Sequence, residues 1–210
     1  MKAKGILTIA YGKQKYVLQA ISLARSIRLR DPDLLLAVAT DFPETIFGGH
    51  FNEVIPWDFT EWPDLVSKLE IFNISPFETT LFLDADCLAI QSLELVFAYF
   101  EGQHFAVFGQ NTLKIDGWIT SLNRIQKAIP SKSYPLFNGG LYYFTHSPLA
   151  NEVFFRARLL RKSYDELELK RTWRGTENEE PLISLAMAQL GLFATSNIMY
   201  PVHRTGNVYN

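Results

Sequence analysis

The stretch LFLDADCL, residues 81–88, decides how the chain is read. Residues 80–83 are expected to form a strand buried on both faces. Two carboxylates, Asp84 and Asp86, stand where that strand emerges. In open α/β sheets, ligand sites lie beyond the carboxyl ends of the strands. The two aspartates are separated by one residue, and a chain leaving the sheet can turn both toward one cation. Hard oxygen ligands suit magnesium or manganese. Such an ion would neutralise a diphosphate and stabilise its departure. The plain alternative is a surface turn with two solvated aspartates, and the local pattern leaves both readings open.

The flanking sequence supports a parallel sheet. Upstream, GILTIA (5–10) is a short apolar run of the kind that forms a doubly buried strand. Over 16–30 the apolar residues Val17, Leu18, Ala20, Ile21, Leu23, Ala24 and Ile27 recur at helical spacing. Asp31-Pro32-Asp33 marks a turn, and 34–40 is a second strand ending at Asp41. Strand, helix, strand in this order opens a parallel α/β domain. A third strand is expected at 51–55, and a helix at 62–72 with Pro63 near its start. Beyond the acidic pair, helices are expected at 93–100, 149–161 and 182–190, and strands at 105–108 and 141–144. Residues 109–132 read as loops and short helices, and the tail from 200 as strand or loop. One α/β domain over 1–210 is the simplest organisation.

Bulk composition excludes several classes. With 48% hydrophobic and 14% aromatic residues among 210, a sizeable core is expected and a disordered chain is not. A formal net charge of -2 gives no basic excess for a nucleic-acid partner. No stretch approaches the roughly 20 apolar residues of a transmembrane helix. Cys87 is the only cysteine, which fits a reduced, cytoplasmic setting.

Beyond these local readings, the chain resembles the glycogenin-like and galactosyltransferase-like family of retaining glycosyltransferases. SKLEIFNISPFETTLFLDADCL (67–88) is similar to the family stretch carrying a lysine, an apolar helix and the Asp-x-Asp strand. Lys68 takes the lysine position. FNGG (137–140) resembles the Phe-Asn-small-Gly segment that precedes a strand, and YPVHRTG (200–206) the segment whose histidine completes the metal site. GILTIAYGKQKYVLQAISLARSI (5–27) resembles the opening strand, nucleotide-contacting loop and helix. The resemblance implies a GT-A fold with a Rossmann-like nucleotide-diphospho-sugar transferase domain. It also implies a nucleotide-sugar donor (a UDP-sugar), manganese dependence and retention at the anomeric carbon. Two departures stand out. EEPLISLA begins with Glu179 and Glu180 where the family has an Asp-Gln pair, with Glu177 as a competing match. Gly206 is followed by Asn207-Val208-Tyr209-Asn210, without the family's Gly-x-x-Lys-Pro-Trp, which leaves three readings: Arg204 or Arg174 supplies the cation, a C-terminal extension does, or donor binding is weakened.

The expected metal ligands are Asp84, Asp86 and His203, holding Mn2+ or Mg2+. Asp84 also reads as a ribose contact. Tyr11 and Lys13 follow the first strand, where Tyr11 is either a ring stacked on a base or a core aromatic. Asp41 reads as a base or ribose contact, or as a turn. Lys68 would balance phosphate charge. Asn138, Gly139 and Gly140 read as a sugar-side loop and as a tight turn. Asp116 reads as a sugar contact or an Asp-Gly turn. Gly206 belongs with the donor residues by resemblance. Glu179 would position the sugar or stabilise charge at the anomeric carbon, as carboxylates do in glycoside hydrolysis, or simply favour a helix start. Partners expected are the donor and a small-molecule, glycan or protein acceptor. A nucleotidyltransferase would usually carry a glycine- and arginine-rich loop after the first strand, which here has Gly12 and no arginine. A sugar-nucleotide binder without turnover is the other alternative.

Overall fold

The computed structural model describes residues 2–196 and the backbone of 202–204. Ten strands occur among them. They are β1 (Lys2–Ile9), β2 (Leu35–Thr40), β3 (Glu53–Pro56), β4 (Phe77–Leu83), β5 (Cys87–Ala89), β6 (Phe105–Ala106), β7 (Gly109–Thr112), β8 (Tyr134–Phe137), β9 (Leu141–Thr145) and β10 (Val202–Arg204). The α-helices are α1 (Gln14–Arg28), α2 (Ile71–Ile74), α3 (Glu94–Tyr99), α4 (Leu122–Ala128), α5 (Pro148–Arg161) and α6 (Glu179–Gln189).

The central sheet has six strands in the order β3-β2-β1-β4-β9-β6. The pairs β3-β2, β2-β1 and β1-β4 are parallel, and β9 runs antiparallel to both β4 and β6. The expected α/β class with a mostly parallel sheet is therefore observed. The chain passes outward from β1 to β3, then crosses back to place β4 on the other side of β1. That reversal is the switch point at which α/β sheets open a ligand crevice. The loop after β1 and the Asp84-Ala85-Asp86 turn after β4 both emerge there.

Local sequence explains most elements. In α1 the buried residues Val17, Ala20, Leu23, Ala24 and Ile27 form one stripe against the sheet, while Arg25 and Arg28 sit in the last turn, where the helix dipole favours them. Ser147 caps α5 by accepting the Ala150 amide, ahead of Pro148 in the first turn.

The segment 62–72 differs from expectation. It is a 3-10 helix over Asp64–Glu70 followed by the short α2. Residues Val66 to Glu70 are all buried, so no amphipathic stripe sets the period. Arg158 of α5 donates to the Leu69 carbonyl at 2.9 Å, supplying a donor from outside the helix. The β7-β8 hairpin lies partly within the span read as loops. The sequence GQNT of β7 lacks the apolar alternation that marks a strand. The strand expected over 105–108 pairs only through Phe105 and Ala106, and Phe108 instead bridges Thr195.

Candidate active site

A cleft of about 660 Å³ opens at the switch point. It is lined by Tyr11, Gly12, Lys13 and Tyr16 from the loop after β1 and the start of α1, by Lys68, Asp84 and Asp86, and by Trp173, Arg174, Glu179 and Glu180 from the segment leading into α6.

Its deepest feature is a buried charged cluster. Lys68 is 7% exposed and Glu179 only 1%. Lys68 Nζ lies 2.7 Å from Asp84 Oδ1 and 2.9 Å from Glu179 Oε1, and it donates to the Gly139 carbonyl at 2.9 Å. An ammonium has three N–H donors, and these three acceptors match them. Burial works against the charge on Lys68, but Asp84 and Glu179 together outweigh it and hold the lysine above its ordinary pKa. Burial pushes Glu179 up to about 7; Lys68 pulls it down, while Glu180 and Asp84 push it higher. Tyr142 donates its hydroxyl to Glu179 Oε1 at 3.3 Å. Glu179 Oε2 is buried with no hydrogen-bond partner among the described residues.

Glu180 points elsewhere. Its Oε1 accepts the Gly139 amide at 2.7 Å, and its Oε2 accepts from Trp118 Nε1 at 3.2 Å. It therefore ties the 137–140 loop to the start of α6. Gly139 is enforced by this packing, because a Cβ there would lie 2.3 Å from Glu179 Oε1 and 2.8 Å from the Tyr142 hydroxyl. Asn138 is exposed, and its Oδ1 accepts the Gly140 amide at 3.0 Å. The Gly140 carbonyl in turn accepts the Asp84 amide at 3.0 Å. The FNGG turn thus fixes the acidic pair through backbone bonds.

The first loop is held by Asp41, whose carboxylate accepts the Gly12 amide at 3.0 and 3.2 Å. Gly12 has φ 75°, a left-handed turn that suits glycine. Tyr11 stacks on Phe59 at 3.9 Å and donates to the Asp64 carbonyl at 3.4 Å. Burial and the nearby Asp64 push its hydroxyl up to about 12.

The expected residues divide accordingly. Tyr11, Lys13, Lys68, Asp84, Asp86 and Glu179 converge on the cleft. Asp41, Asp116, Asn138 and Gly139 are not among its lining residues; Asp41 and Asn138 act on the backbone around it, Gly139 is buried with its amide on Glu180, and Asp116 is exposed, its carbonyl accepting from Lys170 at 2.6 Å. Glu177 is drawn off by Arg161 at 2.7 Å, which leaves Glu179 as the carboxylate that reaches Lys68. The backbone of β10 pairs with β5 so that His203 faces Leu88, two residues beyond Asp86. Gly206 lies outside the described residues.

Among the cleft residues that escaped the sequence reading are Tyr16 and Trp173. Burial raises the Tyr16 phenol, but the nearby cations Arg174, Lys15 and Lys13 outweigh burial and lower its pKa. The exposed Trp173 lies in RTWRGT, a tryptophan set among polar residues, and that contrast is the signal that would have found it.

No family model matches the chain. Over 98% of its length it is 24% identical to a candidate UDP-glucuronate:xylan alpha-glucuronosyltransferase 3 of Arabidopsis thaliana, and it spans only about a third, 34%, of that protein. Among solved structures it is similar to the galactosyltransferase LgtC in complex with donor and acceptor sugar analogues, with a TM-score of 0.59 and 16% identity, covering 91% of this chain and 73% of that one. The glycosyltransferase GlyE of Streptococcus pneumoniae TIGR4 gives 0.60 and 15%, covering 94% and 46%. Mouse xyloside xylosyltransferase 1 gives 0.59 and 13%, covering 93% and 85%. The chain has the GT-A fold of these enzymes. No helix among the described residues is long and apolar enough to cross a membrane.

Proposed function

We propose that this chain is a glycosyltransferase of the retaining, glycogenin-like and galactosyltransferase-like type. It would move a sugar from a nucleoside-diphosphate donor, a UDP-sugar, to a hydroxyl acceptor. One observation carries the reading. At the switch point of a GT-A sheet, a buried lysine is held between two carboxylates, and one of them keeps a buried oxygen without a partner. A donor-sugar hydroxyl bonding Glu179 Oε2 would satisfy that oxygen, whose burial otherwise carries a desolvation cost. The sugar would then be oriented against Lys68.

The remaining roles follow from position. Tyr11, Lys13 and the Gly12 turn held by Asp41 would take the base and ribose. Lys13 and Arg174 would face the diphosphate. Asn138 and Gly139 would shape the sugar end. Asp116 would reach the sugar only from outside the present lining.

A divalent metal fits the donor set in chemistry. Asp84 and Asp86 offer hard oxygens in the cleft, and the β10 register brings the His203 backbone alongside the strand that follows them. Among the described residues no three His, Cys, Asp or Glu groups form a metal cluster, and the side chain of His203 is not among those described. Asp84, Asp86 and His203 would hold Mn2+ or Mg2+, which supplies charge neutralisation of the diphosphate when bound.

The test is donor hydrolysis with manganese, using UDP-glucose, UDP-galactose, UDP-xylose and UDP-glucuronate in turn. At least one donor should turn over. Asp86→Asn should slow that turnover by about 100-fold or more while the fold survives. Unchanged turnover in this variant would remove Asp86 from the metal site. UDP binding without turnover of any donor, across many acceptors, would favour a sugar-nucleotide binder instead.

A further inference from the structure

We propose that Trp173 is the stacking surface for a carbohydrate ring of the acceptor; this rests on the glycosyltransferase reading above. Trp173 is 88% exposed, the highest value among the exposed large hydrophobic residues described, and it lines the cleft. Tryptophan is highly buried on average, so an indole left almost wholly in water along a polar cleft is uncommon.

The ring is not on a loose excursion. The turn that carries it is closed by the Thr172 amide on the Thr176 carbonyl and by the Gly175 amide on the Thr172 carbonyl, each at 2.8 Å. The hydroxyls of Thr172 and Thr176 meet at 2.7 Å. Before the turn, Arg171 pairs with Asp165 at 2.8 Å; after it, the Asn178 amide donates to the Tyr164 hydroxyl at 3.0 Å. The Arg174 guanidinium packs over the indole at 4.7 Å. The indole is thus braced on one side and open to solvent. Little entropy remains to be lost when a ligand stacks on it.

The occupant follows from the surroundings. A pyranose has a C–H face that matches an indole and a rim of hydroxyls. The neighbours here, Thr172, Arg174, Thr176 and Asn178, are polar groups able to bond such a rim. Trp173 also stands six residues before Glu179, on the segment that leads into the sugar end of the cleft. The base end of the reading above is the loop after β1, where Tyr11 lies against Phe59. The acceptor must approach the donor sugar, so a platform beside Glu179 suits an acceptor ring.

The experiment is calorimetric titration of the protein, saturated with UDP and manganese, with cellobiose, lactose, maltose and xylobiose. At least one disaccharide should bind, and it should shift tryptophan emission to shorter wavelength as the exposed indole is covered. Trp173→Ala should weaken that affinity at least tenfold, Trp173→Phe less so, and both should shift UDP affinity far less. Disaccharide binding as tight in Trp173→Ala as in the wild type overturns the proposal. So does loss of UDP affinity in place of disaccharide affinity, or no disaccharide binding by a wild type that still binds UDP. The wider reading survives those three results, and fails separately if the wild type binds no nucleotide.

Discussion

Lys68→Met should abolish measurable donor turnover, a loss of about 10²–10³-fold or more, and destabilise the protein by about 3–5 kcal/mol at pH 8. Lys68 is the cation that Asp84 and Glu179 share at 2.7 and 2.9 Å, in a setting almost closed to water. Removing it leaves two carboxylates facing each other with their desolvation uncompensated, the costly way to break a buried pair. The Gly139 carbonyl loses its donor as well, which loosens the turn that fixes Asp84. Glu179 will then hold its proton to higher pH, so the deficit should shrink as the solution is acidified. In the double variant Lys68→Met, Glu179→Gln, much of the stability should return and none of the turnover. Urea midpoints of the wild type and the two variants measure this directly. Wild-type stability and turnover in Lys68→Met would refute the charged-cluster account.

Glu179→Gln alone should do the opposite to stability, raising it while removing about 10²-fold or more of the activity. In the folded protein, burial lifts this carboxyl from 4.5 to about 7. Between those values the folded state binds a proton that the unfolded state has lost. Stability contributed by this group therefore falls as pH rises from about 4.5 to 7, and stays low above it. Glutamine imitates the protonated side chain. At pH 8 in metal-free buffer it should add on the order of 2–3 kcal/mol, and flatten the pH dependence across that window. Thermal midpoints from pH 4.5 to 8.5 read out both. A variant that is less stable at pH 8 than the wild type would show that the ion pair outweighs the burial of the carboxylate. A gain in stability with lost function is what a site kept under strain for catalysis yields.

How legible these features were depends on the range over which the physics acts. The strand leading to Asp84 and Asp86 and the β1-α1-β2 opening are short-range patterns of apolar spacing, and they gave the sheet and the position of the cleft. That Lys68 and Glu179 join Tyr11, Lys13, Asp84 and Asp86 in the cleft was readable only through a resemblance, since Lys68 and Glu179 are far apart in the chain. The 3-10 form of Asp64–Glu70 was hidden because an arginine from α5 supplies the outside bond. Strand β7 was hidden because GQNT pairs through its backbone while its side chains carry no period. Glu179 was the expected site carboxylate and Glu180 had no role of its own in the sequence, yet Glu180 ties down the 137–140 loop while Glu179 meets Lys68. That distinction lies in the turn of α6 and the place of Gly139, which neighbouring glutamates in a sequence do not reveal.

The most direct measurement of the central claim is calorimetric titration of the wild-type chain with UDP, in the presence and absence of manganese, with GDP and CDP alongside. The account predicts saturable UDP binding that requires the metal and exceeds that of the other two nucleotides. Folded protein that binds none of the three, with or without manganese, would contradict it.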